Sequence, residues 1–467
     1  MNDGGEILTI GIIDVLDRVF AGPVCEPAEW DKRVVPGKIK EKLTEHGLKG
    51  TCDLENPIST DSGLADEFWE AAFELAIDLG ILCLDTRRII KVSEDELKDV
   101  LRNLPTDIAL GDGRDRVHIK IRGPNDKLTF SGGPFGICLS EDLYVPICQS
   151  AAQYKEVDML IPGALETLHG RPVRAGTALE AMATFEELVL AKQACRRAGR
   201  PDMPTTSVES NATGIGTISA LVPWSGFTKW DLAIVSAPAE LKTTNYLLTE
   251  AAHLQRTGAP IWMYHHSFIG GVAGPPEGTV LTRIAANILF ALVYGAEYFQ
   301  SSIYDLKYIG TCGREAIWAT NVSGRAMARN SNLLFCDTNN PVAGPVTEMM
   351  LREIAVSAIN NQVDGASWCC GIRSAGGKFK DYTTGLESKF CGELLKAIVG
   401  LKPADANDIV KKIIPTYEEY LKRPPIGKPF QECYNVKTLK PTKEWEDVYN
   451  KVKKELIDLS VPLDLGC

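Results

Sequence analysis

Between about residue 160 and residue 400, short apolar runs alternate with long amphipathic helical patterns, and this alternation constrains the fold more than any other feature of the chain. Each apolar run is typical of a buried parallel strand, and each helical pattern is typical of the crossover helix that joins two parallel strands. The alternation continues over roughly 240 residues, the length expected of an eight-fold parallel barrel. The sequence therefore predicts an α/β protein built on a (β/α)8 TIM barrel.

A doubly wound open sheet is the competing fold. Such a sheet usually carries a glycine-rich phosphate loop after its first strand. The nearest match is Gly214-Ile215-Gly216, which lacks the rest of that motif. The sequence therefore favours the barrel.

The two ends of the chain do not continue the alternation. We expect residues 1–150 to form an N-terminal α+β cap packed on the barrel, residues 151–404 the barrel, and residues 405–467 a helical C-terminal extension. In the cap, Ser62 is the expected N-cap of a helix over 64–79, and Ser93 opens a capping box before a second helix.

Charge and cysteine content exclude several classes of partner. The net charge is −11, and without a basic patch we expect no nucleic-acid or anionic-membrane partner. The longest apolar stretches, such as 284–293, are too short to cross a bilayer, and the N-terminus lacks a basic signal region. The 13 cysteines are scattered and include no CxxC pair, which predicts buried thiols in a reducing, anaerobic cytoplasm.

Functional residues of a parallel barrel lie at the carboxyl ends of its strands and in the loops that follow. The pair His265-His266 ends a predicted strand over 260–266, so only one of the two imidazoles faces the barrel mouth. That imidazole would serve as a general acid or base near pH 7, or as one metal ligand, with a hydrogen-bonded structural histidine as the alternative. The candidate catalytic residues are Tyr264, His265, His266 and Glu209.

Other candidates come from the same positions in the predicted barrel. The candidate substrate-binding residues are Thr206, Ser207, Trp224, Thr338 and Asn340. Three glycines after the histidine pair permit close approach of a flat ligand or a partner, although a tight loop explains them equally well. No zinc motif, catalytic triad or P-loop is present, so the sequence indicates no metal.

Short motifs along nearly the whole chain resemble one known family, the monomethylamine methyltransferases of methane-forming archaea, whose barrel carries pyrrolysine. The motifs are CLDTRRI at 83–89, LGDGRD at 110–115, GGP at 132–134 with SED at 140–142, AGRP at 198–201, GGVAG at 270–274, AGPVTEM at 343–349, TTGLE at 383–387, GKPFQECY at 427–434 and VKT at 436–438.

The resemblance implies a barrel that assembles as a homo-oligomer and acts with a cognate corrinoid protein. Its Co(I) would attack the methyl carbon of a small methylated donor, and the barrel would position the donor and improve its leaving group. In this interpretation Gly270, Gly271 and Gly274 face the corrinoid.

This chain departs from the family at the site. Thr206 occupies the position of pyrrolysine, Ile234 and Tyr264 lie near the positions of two acidic residues, and Thr338 lies near that of a glutamine. The resemblance therefore implies a pyrrolysine-free relative with a changed donor. One candidate is a methoxylated aromatic compound, favoured by the histidines and by Trp224 as a stacking surface, with O-demethylation as its reaction.

The other candidate donor is a quaternary or otherwise methylated amine, which needs no covalent activation and suits an aromatic cage. Two alternatives of other classes stay open from the sequence. One is a non-catalytic paralogue that binds a small ligand or a corrinoid protein. The other is a zinc-dependent barrel enzyme that uses His265 or His266.

Overall fold

A curled parallel sheet of seven strands lies at the centre of the computed structural model, which describes residues 12–206 and 212–464. The order across the sheet is β3-β4-β5-β6-β7-β1-β2, and every neighbouring pair is parallel. The strands are β1 (Thr129–Gly132), β2 (Met159–Leu160), β3 (Ala233–Ser236), β4 (Ile261–Ile269), β5 (Tyr298–Asp305), β6 (Leu334–Asn339) and β7 (Trp368–Ile372).

Two single bridges join the edges of this sheet. Leu160 at the end of β2 pairs with Thr205, and Thr206 pairs with Leu232 just before β3. Within the described residues the structure shows a curled half-barrel sheet of seven strands plus this short bridging segment, and the full (β/α)8 TIM barrel of the prediction is not confirmed, because residues 205–206 make only one bridge to each side. We call the curled sheet and this segment the barrel. The strand β1 lies inside the predicted N-terminal cap, so the sheet draws one strand from that part of the chain.

Six long helices lie on the outer face of the sheet. They are α1 (Ala178–Arg197), α2 (Asn245–Thr257), α3 (Pro276–Tyr294), α4 (Arg314–Asn330), α5 (Glu348–Val363) and α6 (Gly385–Ala397). Gly258 and Gly295 end α2 and α3 in the left-handed conformation, which glycine adopts without steric cost. By length and composition α3 would be able to span a membrane, but it is buried within the protein as a core helix.

The N-terminal part covers one side of the helical layer. Its helix Ser62–Leu79 packs on α3 and α4, with Phe68 against Trp318 at 6.0 Å between ring centroids. The side chain of Asp61, and not of the predicted Ser62, caps this helix. The capping box of Ser93 is confirmed, and it opens the helix Glu94–Asn103.

The remaining N-terminal elements are short. The helical ones are Ile12–Ala21, Pro27–Glu29, Trp30–Val34, Val35–Glu45, Gly113–Asp115 and Tyr144–Ala152. The strands are Ile81–Cys83 and Arg88–Ile90, which pair with each other, and Asp107–Leu110 and Val117–Lys120, which form a hairpin. Ile108, Leu110 and Ile119 of this hairpin pack with the first inward residues of the sheet, so the hairpin closes the amino end of the barrel.

Further short elements lie between and after the barrel units. Those before residue 260 are Cys138–Leu139, Ala164–Leu165, Thr167–Leu168, Arg171–Pro172, Gly214–Ala220, Pro223–Ser225 and Lys242–Thr243. Those after residue 370 are Ser374–Gly377, Pro403–Ile413, Ile414–Thr416, Glu418–Tyr420, Phe430–Cys433, Tyr434–Asn435, Lys440–Pro441 and Lys443–Asp458. The twelve cysteines within the described residues are all free thiols.

Candidate functional site

The carboxyl half of β4 carries the candidate site on alternate side chains. Tyr264, His266 and Phe268 point into the barrel and are partly exposed, whereas His265 and Ser267 are buried against the helices. The structure thus decides which histidine faces the mouth. It is His266.

His265 lies outside the barrel, between β4 and α3. Its Nε2 is 2.9 Å from the side-chain oxygen of Asn287, and its ring contacts Phe290 with centroids 5.2 Å apart. Burial lowers the pKa of His265 to about 4. β-Strand alternation turns His265 away from any ligand in the mouth, so the structure does not bring this predicted catalytic residue to the site.

His266 lies among aromatic rings at the mouth. Its centroid is 4.6 Å from that of Tyr264, 4.9 Å from that of Tyr304 and 5.9 Å from that of Phe268. Burial, helped by the charges of His265 and Arg373, lowers the pKa of His266 to about 3. The imidazole is therefore neutral at pH 7 and does not supply the imidazolium that a general acid near that pH needs. We call Tyr264, His266, Phe268 and Tyr304 the aromatic patch.

Below the aromatic patch the barrel interior is also aromatic. Phe135 contacts Tyr264 at 5.8 Å, and Trp262 lies 6.2 Å from Tyr264 and 5.3 Å from Trp368. Trp368 donates its indole N–H to Ser131 at 3.0 Å. This floor is closed and apolar, so a ligand would enter only as deep as Tyr264.

Polar side chains continue the mouth across β5 and β6. The amide of Gln300 donates to the hydroxyl of Thr338, which also shares a hydrogen bond with Ser302. Thr338 is therefore occupied by protein partners in a structural hydrogen-bond chain. Asn340 differs, since it is fully buried and neither atom of its side-chain amide has a hydrogen-bond partner among the described residues.

Thr206, at the bridge between the sheet edges, is fully buried, and its hydroxyl likewise has no partner within the described part of the chain. Its bridge partner Leu232 belongs to the interior cluster, which places the Thr206 side chain on the inward face. Ser207 and Glu209 lie outside the described residues. The predicted roles of those two stay predictions.

Trp224 lies on the protein surface. It belongs to the turn Pro223–Ser225, and its side chain is 85% exposed, so its role as a stacking surface stays a prediction that the structure does not support. A residue this exposed has no second wall with which to enclose a ligand.

The glycine loop follows β4 at the mouth end. Gly270 and Gly274 have φ values of 84° and 77°, and the N–H of Gly270 donates to the carbonyl of Gly274 at 2.7 Å. A Cβ on Gly271 would lie 3.0 Å from Phe268, whereas Gly274 has open space around it. The tight turn accounts for Gly270 and Gly274, and the role of the loop toward a corrinoid remains a prediction.

Three residues of the mouth escaped the sequence analysis as site residues. Tyr304 is the last residue of the inward-facing alternation of β5, which extends to Asp305. Phe135 comes from the N-terminal part, and Gln300 was hidden inside an apolar run. The alternation Tyr298, Gln300, Ser302, Tyr304 was the signal that would have identified the inward face.

The electrostatic character of the mouth follows from this set. No Asp, Glu or Lys side chain points inward from the seven described strands. No group of three or more His, Cys, Asp or Glu residues capable of holding a metal occurs among the described residues. The two adjacent histidines lie on opposite faces of β4, which also prevents them from binding one ion together.

Comparisons with known proteins identify the family. The model of the monomethylamine methyltransferase family MtmB matches residues 10–461. Monomethylamine methyltransferase MtmB2 of Methanosarcina barkeri is 33% identical over 450 residues, 96% of this chain and 97% of the relative. The corresponding protein of Methanosarcina mazei is 32% identical over the same shares.

The crystal structure of the Methanosarcina barkeri monomethylamine methyltransferase superposes on this chain with a TM-score of 0.93 at 32% identity. The match covers 96% of this chain and 98% of that one. The resemblance seen in the sequence is thereby confirmed. The chain belongs to the monomethylamine methyltransferase family and is a methyltransferase.

Proposed function

We propose that this protein transfers a methyl group from a methylated amine to the Co(I) of a corrinoid carried by a partner protein. The observation that supports the donor class is the mouth itself, where the aromatic patch meets inward-facing side chains that include no carboxylate on the seven described strands. A cation within about 6 Å of an aromatic ring is attracted by the ring face, and a few rings together bind methylated ammonium groups.

The degree of methylation follows from the polar groups of the mouth. A monomethylammonium ion carries three N–H donors, which need acceptors such as carboxylates when water is excluded. A quaternary ammonium ion carries none and needs only aromatic surface. With Ile234 and Tyr264 near the positions where the family has acidic residues, the mouth favours the more highly methylated nitrogen over the monomethylamine of the relatives' names.

The chemistry is consistent with the groups present. Co(I) of the partner supplies the nucleophile and accepts the methyl carbon as the carbon–nitrogen bond breaks. The amine leaves with the electron pair of that bond, as a neutral molecule, so no proton donor is needed at its departure. The task of this chain is to hold the nitrogen on the aromatic patch with one methyl group directed outward.

The sequence-based preference for an aryl methyl ether as the methyl donor is not supported by the placement of the residues on which it depended. It rested on a histidine that protonates the leaving phenolate, yet His265 faces the helices and His266 has a pKa of about 3. The predicted stacking residue Trp224 lies on the surface. No observation favours the non-catalytic or the zinc-dependent alternative. Homo-oligomeric assembly and cytoplasmic location remain part of the proposal.

The test is methylation of a Co(I) corrinoid protein followed by its visible absorbance. The panel is monomethylamine, dimethylamine, trimethylamine, the tetramethylammonium ion and an aryl methyl ether. We expect methyl transfer from the amine class, increasing with methylation. Transfer from the aryl ether alone, or from no donor while the corrinoid protein still binds, would contradict the proposal.

A further inference from the structure

Glu240 is a buried acid at the mouth end of the sheet whose carboxylate has no partner. It lies in the loop between β3 and the short strand Lys242–Thr243 and is 5% exposed. Neither oxygen of its carboxylate has a hydrogen-bond partner within the described part of the chain. The nearby ammonium group of Lys242 lies 2.9 Å from the carboxylate of Asp31 and pairs with that group instead. A buried carboxylate without partners destabilises a fold, so the fold alone does not account for this residue.

The backbone at Glu240 is also held in an unfavourable conformation. Glu240 and Leu241 have φ values of 65° and 59°, in the left-handed region that costs free energy for any residue with a Cβ. The buried indole of Trp30 donates to the carbonyl of Glu240 at 3.0 Å, and the N–H of Leu82 donates to the carbonyl of Leu241 at 3.0 Å. These contacts from the N-terminal part of the chain fix the conformation. Strain that neighbouring elements maintain in this way is concentrated at functional sites.

The loop sets the Glu240 carboxylate beside the upper end of β4. The N–H of Ala237 donates to the carbonyl of Tyr264 at 2.8 Å, which continues the pairing of β3 with β4 to the start of the loop. Burial raises the pKa of Glu240 to about 7, and the charge of Lys242 and the backbone N–H of Phe268 oppose the rise. The carboxylate therefore lies near Phe268, although not in hydrogen-bond geometry. Since Tyr264 and Phe268 both belong to the aromatic patch, a negative charge lies at the edge of its rings.

We propose that Glu240 supplies the negative charge that binds the methylated ammonium group of the donor, while the aromatic patch supplies its apolar surface. This inference rests on the proposed function and adds a specificity-determining residue outside the seven strands. A cation held on aromatic rings still favours a nearby opposite charge once water is excluded. One carboxylate provides that charge, yet it does not satisfy the three N–H donors of a monomethylammonium ion. Glu240 thus agrees with a more highly methylated nitrogen.

The experiment compares the binding of the tetramethylammonium ion to the wild type and to Glu240→Gln, measured by calorimetry on the full chain at pH 8. We expect about tenfold weaker binding in the variant, the effect of removing one unit charge about 10 Å away at an effective dielectric constant of about 20. Glu297→Gln is the matched control. Burial raises the pKa of Glu297 as well, but this residue precedes β5 at the opposite end of the barrel, so its variant should bind the ion as the wild type does.

Binding should also be coupled to the protonation of Glu240. The cation favours the ionised carboxylate, so the wild type should bind the ion about five- to tenfold more weakly at pH 5.5 than at pH 8 and should release a proton on binding near pH 7. Calorimetry in two buffers of different ionisation enthalpy measures the release. His265 and His266, with pKa values of about 4 and 3, do not titrate in this range. Glu240→Gln should show neither the pH dependence nor the proton release.

Stability separates a binding role from a structural one. The pKa of Glu240 is higher in the folded protein than in the unfolded chain, so at pH 8 the ionised carboxylate makes folding less favourable. Glu240→Gln should therefore unfold at a higher urea concentration than the wild type at pH 8. A residue kept for the fold would give the opposite shift.

The outcomes distinguish this inference from the proposed function. Equal binding by the wild type and Glu240→Gln at every pH overturns the role of Glu240 and leaves the amine donor intact, because methyl transfer from the amine panel tests the donor separately. An equal loss of binding in Glu297→Gln would assign the effect to net charge and would overturn that role as well. If the wild type binds no methylated ammonium ion and transfers no methyl group to active corrinoid protein, the proposed function itself is wrong.

Discussion

The two faces of the strands β4–β6 place the same kinds of polar residue in opposite circumstances. On the outer face, Arg283 of α3 donates to Ser301 at 2.7 Å, to Ser323 at 2.8 Å and to the carboxylate of Asp337. His265 bonds Asn287 beside them. On the inner face, by contrast, His266 Nδ1, the Tyr304 hydroxyl and the Asn340 amide have no partner among the described residues.

The presence or absence of hydrogen-bond partners distinguishes polar side chains that stabilise the fold from polar side chains available to a ligand better than residue type does. Burying a polar group costs free energy, and Arg283 and His265 on the outer face recover that cost with protein partners. On the inner face, the cost of burying His266 Nδ1, the Tyr304 hydroxyl and the Asn340 amide is not offset in this way. These groups lie where a ligand would bind. Of the two adjacent histidines, His265 has a side-chain hydrogen-bond partner, whereas Nδ1 of His266 has none among the described residues.

Removal of Arg283 should have the largest effect on the outer face. Arg283→Met leaves Asp337 and the neighbouring Asp364, whose pKa burial and Asp337 raise, without their buried cation. We expect a loss of about 3–5 kcal/mol in unfolding free energy. Urea denaturation measures it. The partly exposed Arg352→Met, which loses its pairs with Glu348 and Glu455, is the control and should cost about 1 kcal/mol or less. Equal losses in the two variants would show that the network is not integral to the fold.

Lowering the pH should change the difference in unfolding free energy between the wild type and His266→Phe. The pKa of His266 in the folded protein is about 3, below its unfolded value of about 6.5. Below pH 6.5 the unfolded state therefore binds a proton that the folded state does not, and the histidine makes folding less favourable as pH falls. The phenylalanine variant lacks this penalty.

As the pH falls from 6.5 toward 4, we expect the unfolding free energy of the wild type to decrease relative to that of His266→Phe by about 1.4 kcal/mol per pH unit. Denaturation curves at several pH values measure it. A difference independent of pH would mean that His266 has an ordinary pKa. In that case the role of general acid would again be available to it.

Much of this architecture was predictable from local pattern. The alternation of apolar runs and helices predicted the strands β3–β7 and the helices α1–α6 to within a few residues at most ends, because periodicity reports burial on one face. The strand β1 was missed as part of the sheet, since it is only four residues long and pairs with β7, more than 230 residues away.

The site was less predictable for a physical reason. Sequence spacing shows that His265 and His266 face opposite ways, but the choice between them depends on where β4 begins relative to β5, which only the register decides. Trp224 illustrates the same limit, because residue type alone suggests a pocket wall for a side chain that lies on the surface.

Loss of a ring from the inner face should weaken donor binding without unfolding the protein. Tyr304→Leu removes one wall of the aromatic patch, and we expect about tenfold weaker binding of a methylated ammonium ion, since one cation–π contact is worth about 1–2 kcal/mol. Tyr304→Phe is the matched control and should retain cation binding. If both variants bind the tetramethylammonium ion as the wild type does, the aromatic patch is not the cation site.

The smallest expected effect belongs to the surface tryptophan, and it tests whether position outweighs residue type. Trp224→Ala removes a side chain that is 85% exposed, so both donor affinity and unfolding free energy should stay within about 0.5 kcal/mol of the wild type. Calorimetry and denaturation measure the two quantities. A large loss of donor affinity with unchanged stability would place Trp224 at the mouth after all. The donor site would then include a side chain from the turn Pro223–Ser225 as well as the inner face of the strands. The aromatic patch of β4 and β5 alone would not define the site.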